Sequence, residues 1–229
     1  MPLSRIERTH LSHSVSARLS RAIIAGEFEP GEKISEPYLS NMLGVSRAPI
    51  REALIELELR GLVEFDASGR TQVPTLSPRD IEEIYRVRLM IDPVVASLAA
   101  ERATDKTFSQ MDANIAATKS VKTLDDVSRL DAEFHDYIVQ AADNRWIQMF
   151  WDIFRDQVGL WLTQMQLRHQ SVTVRTRQQT ALAHQKLLTV IRSRNPKKAA
   201  AEAHKHVANW MKLMPPLPAT KMKQARKRR

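Results

Sequence analysis

Leu11, Val15, Leu19, Ile23 and Ile24 recur at intervals of three to four residues, a period that predicts an amphipathic helix over residues 11–25, stopped by Gly26. After the Pro30-Gly31 turn the same period predicts a short helix over 36–43. Beyond Gly44 it predicts a third helix over 47–60, ended by Gly61. Ile50, Ala53, Leu54 and Leu57 form the apolar stripe of this third helix. Ser46 stands at its N-cap, and because Pro49 lacks an N–H, the serine hydroxyl is expected to take the amide of Ala48. The pattern then changes to two short strands, at 62–65 and 71–75, around the turn-forming run Asp66-Ala67-Ser68-Gly69-Arg70.

Ser77-Pro78-Arg79-Asp80 combines a capping serine, a proline at the first helical position and an acid three residues after the cap, which marks the start of a new helical unit. Helical periodicity continues from there with breaks near Thr104, 120–123, Asp143-Asn144, 170–173 and Asn195-Pro196. Six helices of roughly 15 to 26 residues are expected, ending near Met214 before Pro215, Pro216 and Pro218. The fold class is therefore mainly α. Residues 1–76 read as a winged helix-turn-helix domain with a small β-hairpin wing, 77–214 as an all-α bundle of six or seven helices, and 215–229 as a basic tail.

Composition narrows the setting. The chain has 229 residues and no cysteine, which excludes disulfides and thiolate metal sites and fits the cytoplasm. It has no apolar run long enough to span a bilayer, and the N-terminus lacks the apolar segment of a signal peptide. No membrane partner is expected. The formal net charge of +9 is misleading about its location, because residues 1–76 carry nine basic against ten acidic side chains, while 192–229 carry twelve against one. The tail reads as a solvated, disordered end, with an auxiliary electrostatic arm on DNA as the alternative. A DNA-binding reading must rest on where charge is placed.

That placement is specific. Arg47 and Arg51, four apart at the opening of the third helix, lie on one side while the apolar stripe faces the other way, which is how a recognition helix addresses a major groove. Ser46, Arg47, Ala48, Pro49 and Arg51 are the candidate DNA-contacting residues, with Arg70 on the wing. At this point Ile24-Ala25-Gly26, Pro30-Gly31, Glu36, the run LGVSRAPIREAL and Gly61-Leu62-Val63 resemble GntR-type transcriptional regulators. Downstream, residues 80–88, then Asp131-Ala132-Glu133-Phe134-His135, and finally His184 and His206 resemble the FCD ligand-binding domain of the FadR subfamily. Two departures stand out. The wing glycine, Gly69, is displaced by one position from the family pattern, and Pro37 occupies a site where some members carry an arginine.

Asp131 and His135 are four apart on one helix, a spacing that lets both reach one ion, and His184 and His206 lie on the last two helices, on either side of the Asn195-Pro196 turn. The resemblance implies that these four hold a divalent metal. It selects His206 over His204, because the family's last ligand precedes an aliphatic residue, here Val207. Oxygen and nitrogen ligands suit Zn²⁺, Ni²⁺, Mn²⁺ or Fe²⁺. The resemblance further implies that a small carboxylate metabolite binds beside the ion, with Arg88 as its partner or else as a salt bridge within the protein. Trp146, Phe150, Trp151 and Trp161 recur on the fourth bundle helix, as core, dimer surface or pocket wall, and the methionines are assigned to the core. The expected protein is a non-enzymatic homodimeric repressor bound to a double-stranded operator, with 74–78 as the hinge between domains. The alternatives are a regulator for which the metal is itself the signal, and a helical-bundle metalloenzyme, for which only Glu133 stands near as a base.

Overall fold

The computed structural model of the chain describes residues 10–169 and 176–212. The expected helix break at 170–173 and the basic tail at 215–229 lie outside the described residues. The N-terminal part contains α1 (His10–Ala25), β1 (Lys33–Ile34), α2 (Glu36–Leu43), α3 (Arg47–Leu59), β2 (Glu64–Phe65) and β3 (Thr71–Gln72). Val15, Leu19 and Ile23 of α1 are buried against Ile50, Ala53, Leu54 and Leu57 of α3. The α2–α3 turn closes locally: Gly44 caps α2 in the left-handed region at φ +68°, which an L side chain adopts only with strain, and its N–H bonds to the Ser40 carbonyl. The Ser40 hydroxyl donates to the Val45 carbonyl at 2.6 Å and tightens the same corner.

Two local expectations need correction. Ser46 is the N-cap of α3, but its hydroxyl takes no amide; with proline at the third helical position, one of the two amides a cap ordinarily binds is missing, and the exposed Ser46 leaves the other to solvent. The wing is more than a hairpin. β1 joins it to give a three-stranded antiparallel sheet in the order β1-β3-β2, pairing Lys33 with Gln72 and Ile34 with Thr71. A two-residue strand shows no alternation to read, and it is held by its partner instead, through Gly31 N–H to Val73 O at 2.8 Å and Val73 N–H to Glu32 O at 2.9 Å.

The bundle comprises α4 (Pro78–Arg102), α5 (Asp105–Ser120), α6 (Leu124–Ala141), α7 (Arg145–His169), α8 (Thr176–Arg192) and α9 (Pro196–Lys212). The cap on α4 is a reciprocal box, Asp80 N–H to Ser77 Oγ at 3.2 Å and Ser77 N–H to Asp80 Oδ2 at 2.8 Å, and α4 runs on through Pro93. α4 lies along α9, α5 against α6 and α8, and α6 against α4, α7 and α8, so that α4, α6, α8 and α9 surround one interior. Met111 is part of the core, but Met42, Met90 and Met149 are exposed, contrary to the assignment of methionines to the interior. No helix among the described residues is long and apolar enough to cross a membrane.

Candidate functional site

The α3 helix presents Arg47, Ala48 and Arg51 to solvent beside the exposed Ser46, with Pro49 half-buried, while Ile50 and Leu54 are fully buried behind them. Among the described residues neither arginine has a hydrogen-bond or ion-pair partner. Arg70 is placed differently. Its Nε lies 2.9 Å from Asp66 Oδ2, and Asp66 also accepts from Ser68 and from the Arg70 amide, contacts that hold its carboxyl below the usual range. The displaced wing glycine is accommodated by the same turn, with Gly69 at φ +75°.

The second cluster lies in the bundle. Residues from three helices meet there: His135 on α6, His184 on α8 and His206 on α9, with ring centroids 5.3–5.6 Å apart and one ligating atom from each within 4.8 Å of the others. Asp131, one turn before His135, brings Oδ1 to 3.1 Å from His184 Nε2. The two atoms lack the alignment of a hydrogen bond: both Asp131 oxygens, both His184 nitrogens and His206 Nε2 are buried without a hydrogen-bond partner. Isolated, such groups are costly in an interior, and here their donor atoms converge on one point. His204, two residues from His206, is exposed, and His13 pairs with Glu56 at 3.2 Å.

Burial sets the protonation of this cluster. It pushes His135 well below the ordinary histidine value and His206 down to about 3, aided by the Arg88 guanidinium and the neighbouring imidazoles. Burial also opposes ionisation of Asp131, but contact with His184 and the charge of Arg88 outweigh it and hold the carboxyl low. His135 and His206 are thus neutral and Asp131 anionic, the forms that ligate metal. A pH dependence follows. Between about pH 3 and 6.5 the unfolded chain binds protons that His135 and His206 refuse when folded, so stability is complete above 6.5 and falls with pH below it. Denaturant titrations of EDTA-treated protein should show a loss of about 1.4 kcal/mol for each imidazole between pH 7.5 and 5.5. Equal stabilities would contradict the buried-neutral assignment.

Arg88 lies at the edge of this cluster and is itself buried. It donates twice to Asp92 Oδ2, at 3.1 and 2.7 Å, approaches His135 Nε2 at 3.2 Å, and lies 5.4 Å over the Trp161 ring. A narrow cavity beside it is lined by Asp92, His135, His206, Trp151, Ile138 and Leu187. Asp92 was not singled out from the sequence, and Phe134 stood there only as part of the 131–135 motif. Phe134 stacks on His184 at 3.9 Å and adjoins His135 in the chain, and Asp92 stands four residues after Arg88, a spacing that was visible as an ion-pair signal. The tryptophans divide: Trp151 and Trp161 are buried, and Trp146 is 70% exposed.

With this arrangement described, similarity to known proteins becomes informative. Residues 83–209 match the FCD domain, and residues 11–73 match the bacterial regulatory proteins of the gntR family. The chain belongs to the GntR family and carries an FCD domain. Among its relatives, the HTH-type transcriptional repressor RspR of Escherichia coli K12 is 32% identical over 137 residues, 58% of this chain and 59% of that protein. The gluconate operon transcriptional repressor of Bacillus licheniformis is 29% identical over 154 residues, 66% of this chain and 63% of that protein. The aligned region thus spans about three fifths of these relatives. The solved structure of E. coli McbR/YncC covers 89% of this chain and 96% of its own with a TM-score of 0.78 at 16% identity, a likeness of fold alone. The two sequence relatives are named as transcriptional repressors.

Proposed function

We propose that the protein is a ligand-responsive DNA-binding repressor, acting as a homodimer. Its α3 helices would enter successive major grooves of a two-fold related operator. The exposure of Arg47 and Arg51 on a helix whose opposite face is fully buried is the main support for this reading. Ser46, Ala48 and Pro49 accompany them at the groove, and Arg70, released from Asp66, would follow the flanking backbone. In the bundle, Asp131, His135, His184 and His206 fit a divalent metal, because their buried donor atoms converge without satisfying one another. The ion, when bound, supplies a positive centre for the carboxylate of a small metabolite. Arg88 positions His135 at the cavity edge, and Asp92 holds Arg88 in place.

Glu133 pairs with Arg129 at 2.8 Å on the surface, which favours sensing over hydrolysis. The test is selection of a duplex from a random pool, followed by titration of that duplex with zinc-loaded and EDTA-treated protein, each with and without a panel of short carboxylates. Failure to enrich any sequence would overturn the reading. A response to zinc that no carboxylate modifies would favour the metal itself as the signal.

A homodimer has a suitable surface. Trp146, Met149, Phe150 and Ile153 occupy successive turns of α7 with exposures of 70, 48, 38 and 69%, and α4, which contacts α7, adds Met90 and Val94. Such a contiguous apolar stripe is rarely left in water. Ile153→Glu should convert the dimer to a monomer at micromolar concentration, read by sedimentation velocity. An unchanged sedimentation coefficient would place the interface elsewhere.

A further inference from the structure

Hydrogen bonds and an ion pair between the two domains come from α7, alongside the packing of α1 against α6 and α7. Arg60, at the end of the recognition helix, donates from Nε to Asp156 Oδ2 at 2.5 Å, and its other nitrogens reach Ser16, Ser20 and Glu56. The Asp156 side chain is 5% exposed. One residue on, Gln157 donates from Nε2 to the Arg60 carbonyl at 2.6 Å, an approach left open by Gly61 in its left-handed conformation. Thr163 donates to the Ile24 carbonyl at the end of α1. Gln164, itself 3% exposed, bridges the interdomain segment, donating to the Pro74 carbonyl at 3.1 Å and accepting from the Leu76 amide at 3.2 Å. The segment expected to act as a hinge is therefore pinned to α7.

The same helix carries Trp151, which lines the cavity, and Trp161, which lies beneath Arg88. We propose that α7 is the joint between the ligand site and the DNA-reading head, with Asp156, Gln157, Thr163 and Gln164 forming a clamp that docks and releases that head. A rigid helix that touches Arg88 through Trp161 and the head through residues on either side transmits any shift at one end to the other. The clamp groups are suited to release because they are hydrogen-bonding ones that water can satisfy once they part. Docking leaves Arg47 and Arg51 facing outward and fixes the far end of their helix, so the docked state holds the two heads of a dimer at a set spacing and release lets them swivel. The joint serves the sensing role proposed above and depends on it for the meaning of the signal, but the docking itself is measurable without any ligand.

The chain has no cysteine, so spin labels at Glu52→Cys on α3 and Lys197→Cys on α9 report one intrachain distance when labelled protein is diluted into unlabelled protein. The parent should give one narrow distance distribution. Asp156→Ala should at least double its width, and so should Gly159→Leu, which removes no charge but wedges a side chain where a Cβ already lies 3.0 Å from Ile24. Zinc stoichiometry and helical circular dichroism should stay at parental values in both, which separates undocking from loss of fold or of the metal site. Distributions in both variants that superimpose on the parent's would overturn the proposal, and so would a parent distribution already as broad as theirs.

Discussion

Arg47→Ala and Arg51→Ala each lower affinity for the selected operator by roughly 5- to 150-fold, since a bidentate base contact is worth about 1 to 3 kcal/mol of discrimination. The loss should fall on specific binding. Titration of a labelled operator and of a scrambled duplex at one fixed salt concentration would show the gap between them closing, with the scrambled duplex changed much less. The effect is large because nothing else in the domain can replace it: residues 1–76 have no net positive charge with which to hold DNA indiscriminately. Folding should be untouched, because both side chains are exposed and neither has a partner within the described residues. Variants that keep the parental preference for the selected duplex would show that α3 is not the reading element.

His184→Ala should weaken metal binding by more than about 100-fold, exceeding the 10- to 100-fold cost typical of losing a mere supporting residue. His184 is central to the cluster, with Asp131 at 3.1 Å and Phe134 stacked on its ring at 3.9 Å. In the parent, zinc at about 1,000 times its dissociation constant should add about 4 kcal/mol of stability, seen as a rise in melting temperature. In the variant the same zinc concentration should add no more than about 1.4 kcal/mol. Truncating a buried ring also opens a cavity, so His184→Gln, which refills most of it, serves as the second measurement: it too should lose most of the zinc-dependent rise while its metal-free form melts close to the metal-free parent. A zinc-dependent rise of parental size in both variants would remove His184 from the site.

The DNA-reading surface was legible in the sequence because every signal for it is local. The Gly44 turn, the cap position of Ser46, the stripe of Ile50, Ala53, Leu54 and Leu57, and the two arginines on the other side all lie within fifteen residues. The same holds for the capping box at Ser77 and for the pairing of Asp131 with His135 on one face of α6, which follows from helical geometry alone. The hydroxyl of Ser46 failed to cap for an equally local reason, the proline three positions on, whose effect on the remaining amide the sequence did not predict.

Residue pattern alone thus determined the helices, their ends, the unequal distribution of charge and the orientation of the arginines, because each depends on residues a few positions apart whose energies are set by backbone geometry. Tertiary packing decided the rest. Whether His184 and His206 face His135, whether Arg88 is paired with Asp92 over Trp161, whether Lys33 and Ile34 become a strand, and whether α7 takes hold of Arg60 all depend on how helices distant in sequence pack together. That packing is set by side chains interlocking across the whole core, and no short window of sequence contains both sides of such a contact.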